Sequence, residues 1–313
     1  MSQPPFAALV AALGLAAAAA AQTPPVEAPA RRSALEVTPD GAFVRETRGQ
    51  AAPQVATDVA ELTTPGRLWS HTDGGLAWIG KAASIGDRGT QVFVEYDLNS
   101  EANELFSAFD ADPATALWSD GSALGTEARM VASADAADTH VAIHQVVVGG
   151  PTVRQAVLRK YSSGSATPDW SYTFTPLINA GAKVGISRDG QTIVAALMND
   201  NTFDVEVAVF GPDSGTPVSY TAVPVGANNF LRGFDLSADG STLYFSAGTI
   251  AHVFDVPSTS VVFTTDIGAS FDSHAISGDG SVLAFGNFNV MRVWQRSGAT
   301  YVNAFDANRA GQV

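Results

Sequence analysis

The stretch that most constrains this chain is Gly233-Phe234-Asp235-Leu236-Ser237-Ala238-Asp239-Gly240-Ser241-Thr242-Leu243-Tyr244-Phe245. An apolar run ends in Ser-x-Asp-Gly, two polar residues follow, and a second apolar run begins. Asp-Gly between two β-rich runs is a strong short-range hairpin signal. Gly240 takes positive φ without steric cost, while Ser237 and Asp239 have side chains short enough to bond the turn backbone. The unit recurs at Ile186-Ser187-Arg188-Asp189-Gly190 and at Ile276-Ser277-Gly278-Asp279-Gly280, with degenerate copies around Asp135 and Asp87. The aligned aspartates Asp87, Asp135, Asp189, Asp239 and Asp279 are spaced by 48, 54, 50 and 40 residues.

A second marker keeps phase with the first. Leu68-Trp69-Ser70, Leu117-Trp118-Ser119 and Asp169-Trp170-Ser171 precede their aspartates by 18, 17 and 19 residues, counted from the Trp; Val218-Ser219-Tyr220 and Val262-Phe263-Thr264 are weaker versions. Two markers in phase over a period of roughly 40–50 residues, filled with short strands, indicate a propeller-type array. The expected fold is all-β: a β-propeller of four-stranded antiparallel blades, about five of them visible. A further marker near Tyr301-Val302-Asn303 places the chain's end inside a repeat. Either about five blades close the ring, with Arg67–Ser70 completing a blade, or the chain is part of an incomplete ring of six or seven; the second is favoured.

Candidate strands follow one another from residue 67 onward, including Leu76–Ile79, Gln91–Tyr96, His140–Val148, Thr192–Leu197, Thr242–Ser246 and Val290–Trp294. Ala132–Ala137 reads as a short turn. Runs such as Ile193–Leu197 and Leu243–Phe245 are apolar on both faces, as expected for strands sandwiched between stacked sheets.

Leu236 to Phe245, followed by Val253-Phe254-Asp255-Val256, resembles the Ser-Pro-Asp-Gly repeats of TolB-like and WD-like β-propellers. The resemblance spans roughly residues 67–305. Arg188, Ala238 and Gly278 stand where those families usually carry proline, and the Trp-Asp dipeptide of true WD repeats is missing, Val293-Trp294-Gln295 being nearest. The resemblance implies the fold and leaves function open.

Residues 1–21 read as a secretory signal: Phe6 to Ala21 is apolar and Ala-rich, with a small-x-small site at Ala19-Ala20-Ala21 before Gln22, although no Lys or Arg precedes it. Residues 22–53 have the Pro/Ala-rich composition of a disordered linker, and 54–313 form the propeller domain. With 17 basic and 31 acidic residues the net charge is -14, which disfavours nucleic acid and anionic lipid as partners. The chain has no cysteine, which excludes disulfides, thiolate metal sites and cysteine nucleophiles.

No constellation earns a catalytic, cofactor or metal assignment. His140 and His144, with Asp138, share one face of a strand, but i and i+4 lie about 13 Å apart there, too far to share one ion; they are read as polar residues of an exposed strand. His71 and Asp73 read as a polar turn, His252 and His274 as isolated strand residues. Asp110, Asp112 and Asp120 form an acidic region without EF-hand spacing, read as a solvated loop. Trp69, Trp118 and Trp170 read as packing between blades rather than a carbohydrate-stacking row. The leading expectation is a secreted or periplasmic, monomeric, non-enzymatic propeller that binds or scaffolds an unidentified protein or extracellular ligand. The alternatives are a quinoprotein-like dehydrogenase and a structural repeat of a larger cell-envelope protein. The recurring aspartates are read as structural, so Asp239→Ala is expected to cost about 0.5–2 kcal/mol in a urea melt, by analogy with lost capping groups; an unchanged midpoint would contradict that role.

Overall fold

Hairpins built on Asp-Gly turns require antiparallel strands, and in the computed structural model they form five sheets of four strands each. The structure describes residues 35–37, 43–45, 79–85, 91–97, 104–110, 116–120, 126–134, 138–148, 154–177, 181–227, 229–268, 273–286 and 290–308. Two short strands, β1 (Leu35–Val37) and β2 (Phe43–Arg45), pair antiparallel within the stretch read as linker. They belong to one unit, Met1–Leu68; the five sheets belong to a second, Trp69–Val313.

Sheet one contains β3 (Ile79–Ile85), β4 (Gln91–Asp97), β5 (Glu104–Asp110) and β6 (Ala116–Asp120). Sheet two contains β7 (Thr126–Ala134), β8 (Thr139–Val147), β9 (Arg154–Ser162) and β10 (Trp170–Leu177). Sheet three contains β11 (Ala182–Ile186), β12 (Ile193–Asn199), β13 (Asp204–Phe210) and β14 (Ser219–Pro224). Sheet four contains β15 (Leu231–Leu236), β16 (Thr242–Ala247), β17 (Ile250–Asp255) and β18 (Ser260–Asp266); sheet five contains β19 (Ser273–Ile276), β20 (Val282–Gly286), β21 (Val290–Ser297) and β22 (Thr300–Asn308). Strand order within each sheet follows chain order. The first strands β3, β7, β11, β15 and β19 lie beside one another in succession. These are propeller blades.

The cores lie between blades, and the period of two assigns each residue its side. On β12, Ile193, Ala195 and Leu197 pack with Val141, Ile143 and Leu158 of blade two. Val194, Ala196 and Met198 pack with Leu243, Phe245 and Phe254 of blade four. Every residue of β12 and of β16 is therefore buried, as their two-sided apolar runs predict. The fourth strands β6, β10 and β14, at the outer edge, alternate instead, as in Ser219–Pro224. Among the described residues no helix is long and apolar enough to cross a membrane.

The turns of Asp189, Asp239 and Asp279 join the first and second strands of blades three, four and five. Asp87 and Asp135 fall in the matching gaps of blades one and two, outside the described residues. The aromatic marker sits on the fourth strand: Trp118 on β6, Trp170 on β10, Phe263 on β18. Tyr301, read as opening a sixth unit, lies on β22, the fourth strand of blade five. The marker thus ends a blade rather than starting the next. Arg67–Ser70, with Trp69, lies outside the described residues. Two other boundaries moved. The strand read at Leu76–Ile79 is β3, beginning at Ile79, and Ala132–Ala134 extends β7 where a turn was expected. Both segments are rich in Ala and Gly, whose weak β-propensity is overridden by pairing with a neighbouring strand.

Gly240 has φ +71. A Cβ there would lie 2.8 Å from Thr192 Cβ and 2.9 Å from Ser187 Cβ of the preceding blade. Gly298 has φ +63 but open space around it. Gly298→Ala should therefore cost about 1–2 kcal/mol, the conformational penalty alone, and Gly240→Ala about 3 kcal/mol or more, because overpacking adds about 1–3 kcal/mol. Equal losses in paired urea melts would contradict the packing role of Gly240.

Candidate functional site

Three Ser-x-Asp-Gly turns share one hydrogen-bond pattern. In blade four Ser237 Oγ donates to Asp239 Oδ1 at 2.6 Å, the Ser241 amide donates to the same oxygen at 2.9 Å, and the Thr242 amide donates to Ser237 Oγ at 2.9 Å. Blade three repeats this through Ser187, Asp189, Gln191 and Thr192, blade five through Ser277, Asp279, Ser281 and Val282. Each buried serine bridges two partners, and each aspartate closes the turn. These donated bonds hold the carboxyls of Asp189 and Asp279 below the usual range. Backbone bonds then tie turn to turn across blades: the Arg188 amide donates to Ala238 O at 2.8 Å, and the Asp239 amide to Gly278 O at 3.0 Å. At Arg188 this explains the departure from proline, which has no N–H to donate.

The tryptophans form the second repeated junction. Trp118 of blade one stacks on Tyr161 of blade two at 5.2 Å and its indole N–H donates to Ser163 O. Trp170 of blade two stacks on Phe210 of blade three at 5.6 Å and donates to Pro212 O at 3.0 Å. Phe263 of blade four packs on Trp294 of blade five at 5.0 Å. The reading as inter-blade packing holds at Trp118 and Trp170.

Strand register shows what blade three does instead. Trp118 stands opposite Ala108, Trp170 opposite Lys160 and Phe263 opposite Val253. The corresponding residue opposite Val209 is Ser219. Beside it, between blades three and four, is a cleft of about 430 Å³. Val209, Val218 and Ser219 line one wall, Val256, Pro257 and Thr259 the other, with Gln191 and Asp239 from the two turns. Ser219 Oγ is shut from solvent and has no hydrogen-bond partner among the described residues. Val218, at the mouth, is 73% exposed. The signal for this place stood in the sequence, since serine occupies the aromatic slot of Val218-Ser219-Tyr220.

The strand carrying His140 and His144 is buried rather than exposed. Both imidazoles lie between blades one and two, His140 stacked on Phe93 and His144 against the edge of Phe106. The reason is that β8 is the second of four strands, with a blade on each side. Asp138 is not with them: it lies before the strand, exposed, at φ 45. Neither nitrogen of His144 has a hydrogen-bond partner among the described residues. Burial first, and the Arg159 guanidinium second, hold His144 down at about 3. Asp120 is not in a solvated loop. It ends β6, 5% exposed, paired with Arg159 Nη1 at 2.9 Å and accepting from Tyr161 Oη at 2.8 Å. Asp110 ends β5. Asp112, His71 and Asp73 lie outside the described residues.

His252, buried on β17, meets Thr264 Oγ1 at 3.2 Å and is held down at about 4 by burial. His274 on β19 meets the Phe234 carbonyl at 2.8 Å. Asp235, half-buried on β15, accepts from the Ile276 amide at 2.9 Å, and burial pushes its carboxyl up to about 6. Among the described residues no three His, Asp or Glu gather to hold a metal ion.

No protein-family model matches the chain, and no curated protein is similar to it in sequence. Its fold is similar to solved structures. Against a chain of the mitotic checkpoint complex the TM-score is 0.50 at 13% identity, covering 76% of this chain and 69% of that one. Against the C-terminal WD40 domain of Sif2 it is 0.52 at 10% identity, covering 74% and 60%. Against the hydrazine synthase of Kuenenia stuttgartiensis it is 0.51 at 14% identity, covering 69% and 64%. The chain thus spans less than two thirds of the last two. At these identities the likeness shows the fold alone, and that fold is a WD40-like β-propeller.

As pH falls below about 6.5, the unfolded form of His144 takes up a proton that the folded form refuses, and stability falls. Its folded pKa is depressed, so its contribution is full above about 6.5 and is lost as pH falls toward 3. His252 acts in the same direction; Asp235, raised to about 6, acts oppositely, stabilising below its ordinary pKa and losing that effect as pH rises through 6. His144→Leu should leave stability at pH 7 unchanged or raise it by about 1 kcal/mol, because no bond is lost. It should also shrink the stability difference between pH 6.5 and 4.5 by about 2 kcal/mol. Urea melts at both pH values check this; a loss above about 2 kcal/mol at pH 7 would contradict it.

Proposed function

We propose that the mature chain is an exported, non-enzymatic binding module of the TolB-like kind, docking a protein partner on the face that carries the Ser-x-Asp-Gly turns. The observation behind this reading is how the turn face is made. The residues the repeats share are consumed in holding the turns, while those that differ give each blade its own surface: exposed Arg188 and Gln191 on blade three, the cleft beside Asp239 on blade four. A constant frame with variable loops is the usual organisation of a recognition surface. The chain's net charge of -14 favours a partner with basic groups over nucleic acid. The propeller likenesses, to a chain of a checkpoint complex and to a WD40 domain, support protein binding by analogy. The apolar Phe6–Ala21 run supports export.

The test is recovery of the native protein from the exported fraction of its host, followed by hydrogen exchange on its purified complex. The expected chain begins at Gln22, and partner binding slows exchange at residues 187–192, 237–242 and 277–282. Exchange slowed instead at the opposite end of the blades, around exposed Phe203 and Phe230, or a cytosolic chain retaining residues 1–21, would overturn the reading.

A further inference from the structure

We infer that the cleft between blades three and four receives a tryptophan side chain from a basic, extended segment of a partner protein. The inference rests on the binding-module reading and names the partner's chemistry. Its ground is the quasi-symmetry of the blades, which shows by example what the place is shaped to hold. At the junctions of blades one with two and two with three, the chain's own indole stacks on an aromatic residue in the last two positions of the third strand, Tyr161 or Phe210. In each case it donates to the carbonyl two residues further on, Ser163 O or Pro212 O. At the junction of blades three with four the aligned donor position is Ser219 and the aligned carbonyl is that of Val256, both lining the cleft, while the aligned aromatic, Phe254, is buried in the core beneath it. Val256 O receives the Thr259 amide at 3.2 Å, and a carbonyl has a second lone pair.

A serine in place of a ring would allow the blades simply to close up, but the cleft stays open. The loop joining third and fourth strands explains why. Residues 163–169 and 211–218 span seven and eight positions in blades two and three. Gly215 lies in the second of these, and a Cβ on it would stand 3.3 Å from Trp170 Cε3, so the loop closes directly over the indole. In blade four the loop is four residues, 256–259, pinned by the Ser258 amide on Asp255 Oδ2 at 2.9 Å. Both the internal ring and its covering loop are replaced by smaller elements, which leaves about 430 Å³ reachable from outside, within the roughly 300–1,000 Å³ of ligand sites. Ser219 lines this space with its Oγ shut from solvent. Asp239, though its Oδ1 is held by Ser237 and the Ser241 amide, is the one acidic residue lining the cleft, so within an acidic chain it favours basic residues beside the tryptophan.

Isotope-labelled protein titrated with acetyl-Lys-Trp-Lys-amide and with acetyl-Lys-Ala-Lys-amide tests this by NMR. The expected result is saturable shifts of the Ser219, Gly240 and Thr259 amides with the Trp peptide, at least tenfold weaker with the Ala peptide. They should be lost in Ser219→Trp, whose ring fills the cleft, and kept in Ser219→Ala. If Ser219→Trp fails to give the wild-type circular dichroism, Ser219→Phe, the residue type blade four carries at this register, replaces it. Equal shifts from both peptides, shifts that survive filling of the cleft, or none at millimolar peptide would overturn the inference. So would a concentration-dependent dimer in sedimentation that Ser219→Trp abolishes, since the occupant would then be a second copy. A native partner that binds wild type and Ser219→Trp equally well would leave the binding-module reading standing while this inference falls.

Discussion

The contact on which the blades depend is the one between successive turns. Gly240 presses its bare Cα against Thr192 and Ser187, and Gly280 would place a Cβ 2.6 Å from Thr242 Cβ. One glycine therefore meets two constraints, a left-handed turn and an approach that leaves no room for a side chain. The serine and aspartate hold the turn in the shape that makes the approach possible, and the Arg188 and Asp239 amides lock it to the following blade. A propeller has no helix to brace its sheets. Its rigidity comes from such edge contacts, repeated at the junctions of blades three with four and four with five, and from apolar faces like β12, buried on both sides.

The outer edge uses a second contact of the same logic. An aromatic residue on the fourth strand spans to the next blade, and a loop covers it. Because the contact repeats, its interruption is readable: blade three offers Ser219 where its neighbours offer Trp118, Trp170 and Phe263. Structural residues in a repeat protein are those that recur, and candidates for recognition are those that break the recurrence. By this criterion the aspartates of the turns belong to the frame, and the cleft beside Ser219 belongs to the surface.

Much of the frame was legible in the sequence because turn chemistry is local. Ser-x-Asp-Gly needs no distant partner to be recognised, and it located the first and second strands of blades three to five; the aromatic marker found the fourth strands but was read as opening the next unit, as at Tyr301, rather than closing its own. The two-sided apolar runs foretold burial of β12 and β16. What was not legible depends on neighbours in space. His140, His144 and Asp120 read as exposed polar residues, since nothing local announces that a blade covers them; Arg159, which pairs with Asp120, lies 39 residues away. The Ala- and Gly-rich β3 and the end of β7 hid behind weak propensity. The cleft fell between the two cases: its serine was visible in the marker alignment, but its meaning required the cross-strand register and the loop lengths on either side.

The most direct measurement is native-state hydrogen exchange at the Arg188 and Asp239 amides, compared with Ala195 and Phe245 in the buried strands. Amides in local turns open with little free energy, whereas those released by separation of blades exchange only with the whole unit. If successive turns lock the blades, both amides exchange with the same opening free energy as Ala195 and Phe245 and fall together as urea is added. Exchange faster by about a hundredfold, insensitive to urea, would show that the turns open without the blades, and the lock would have to be sought in the aromatic edge alone.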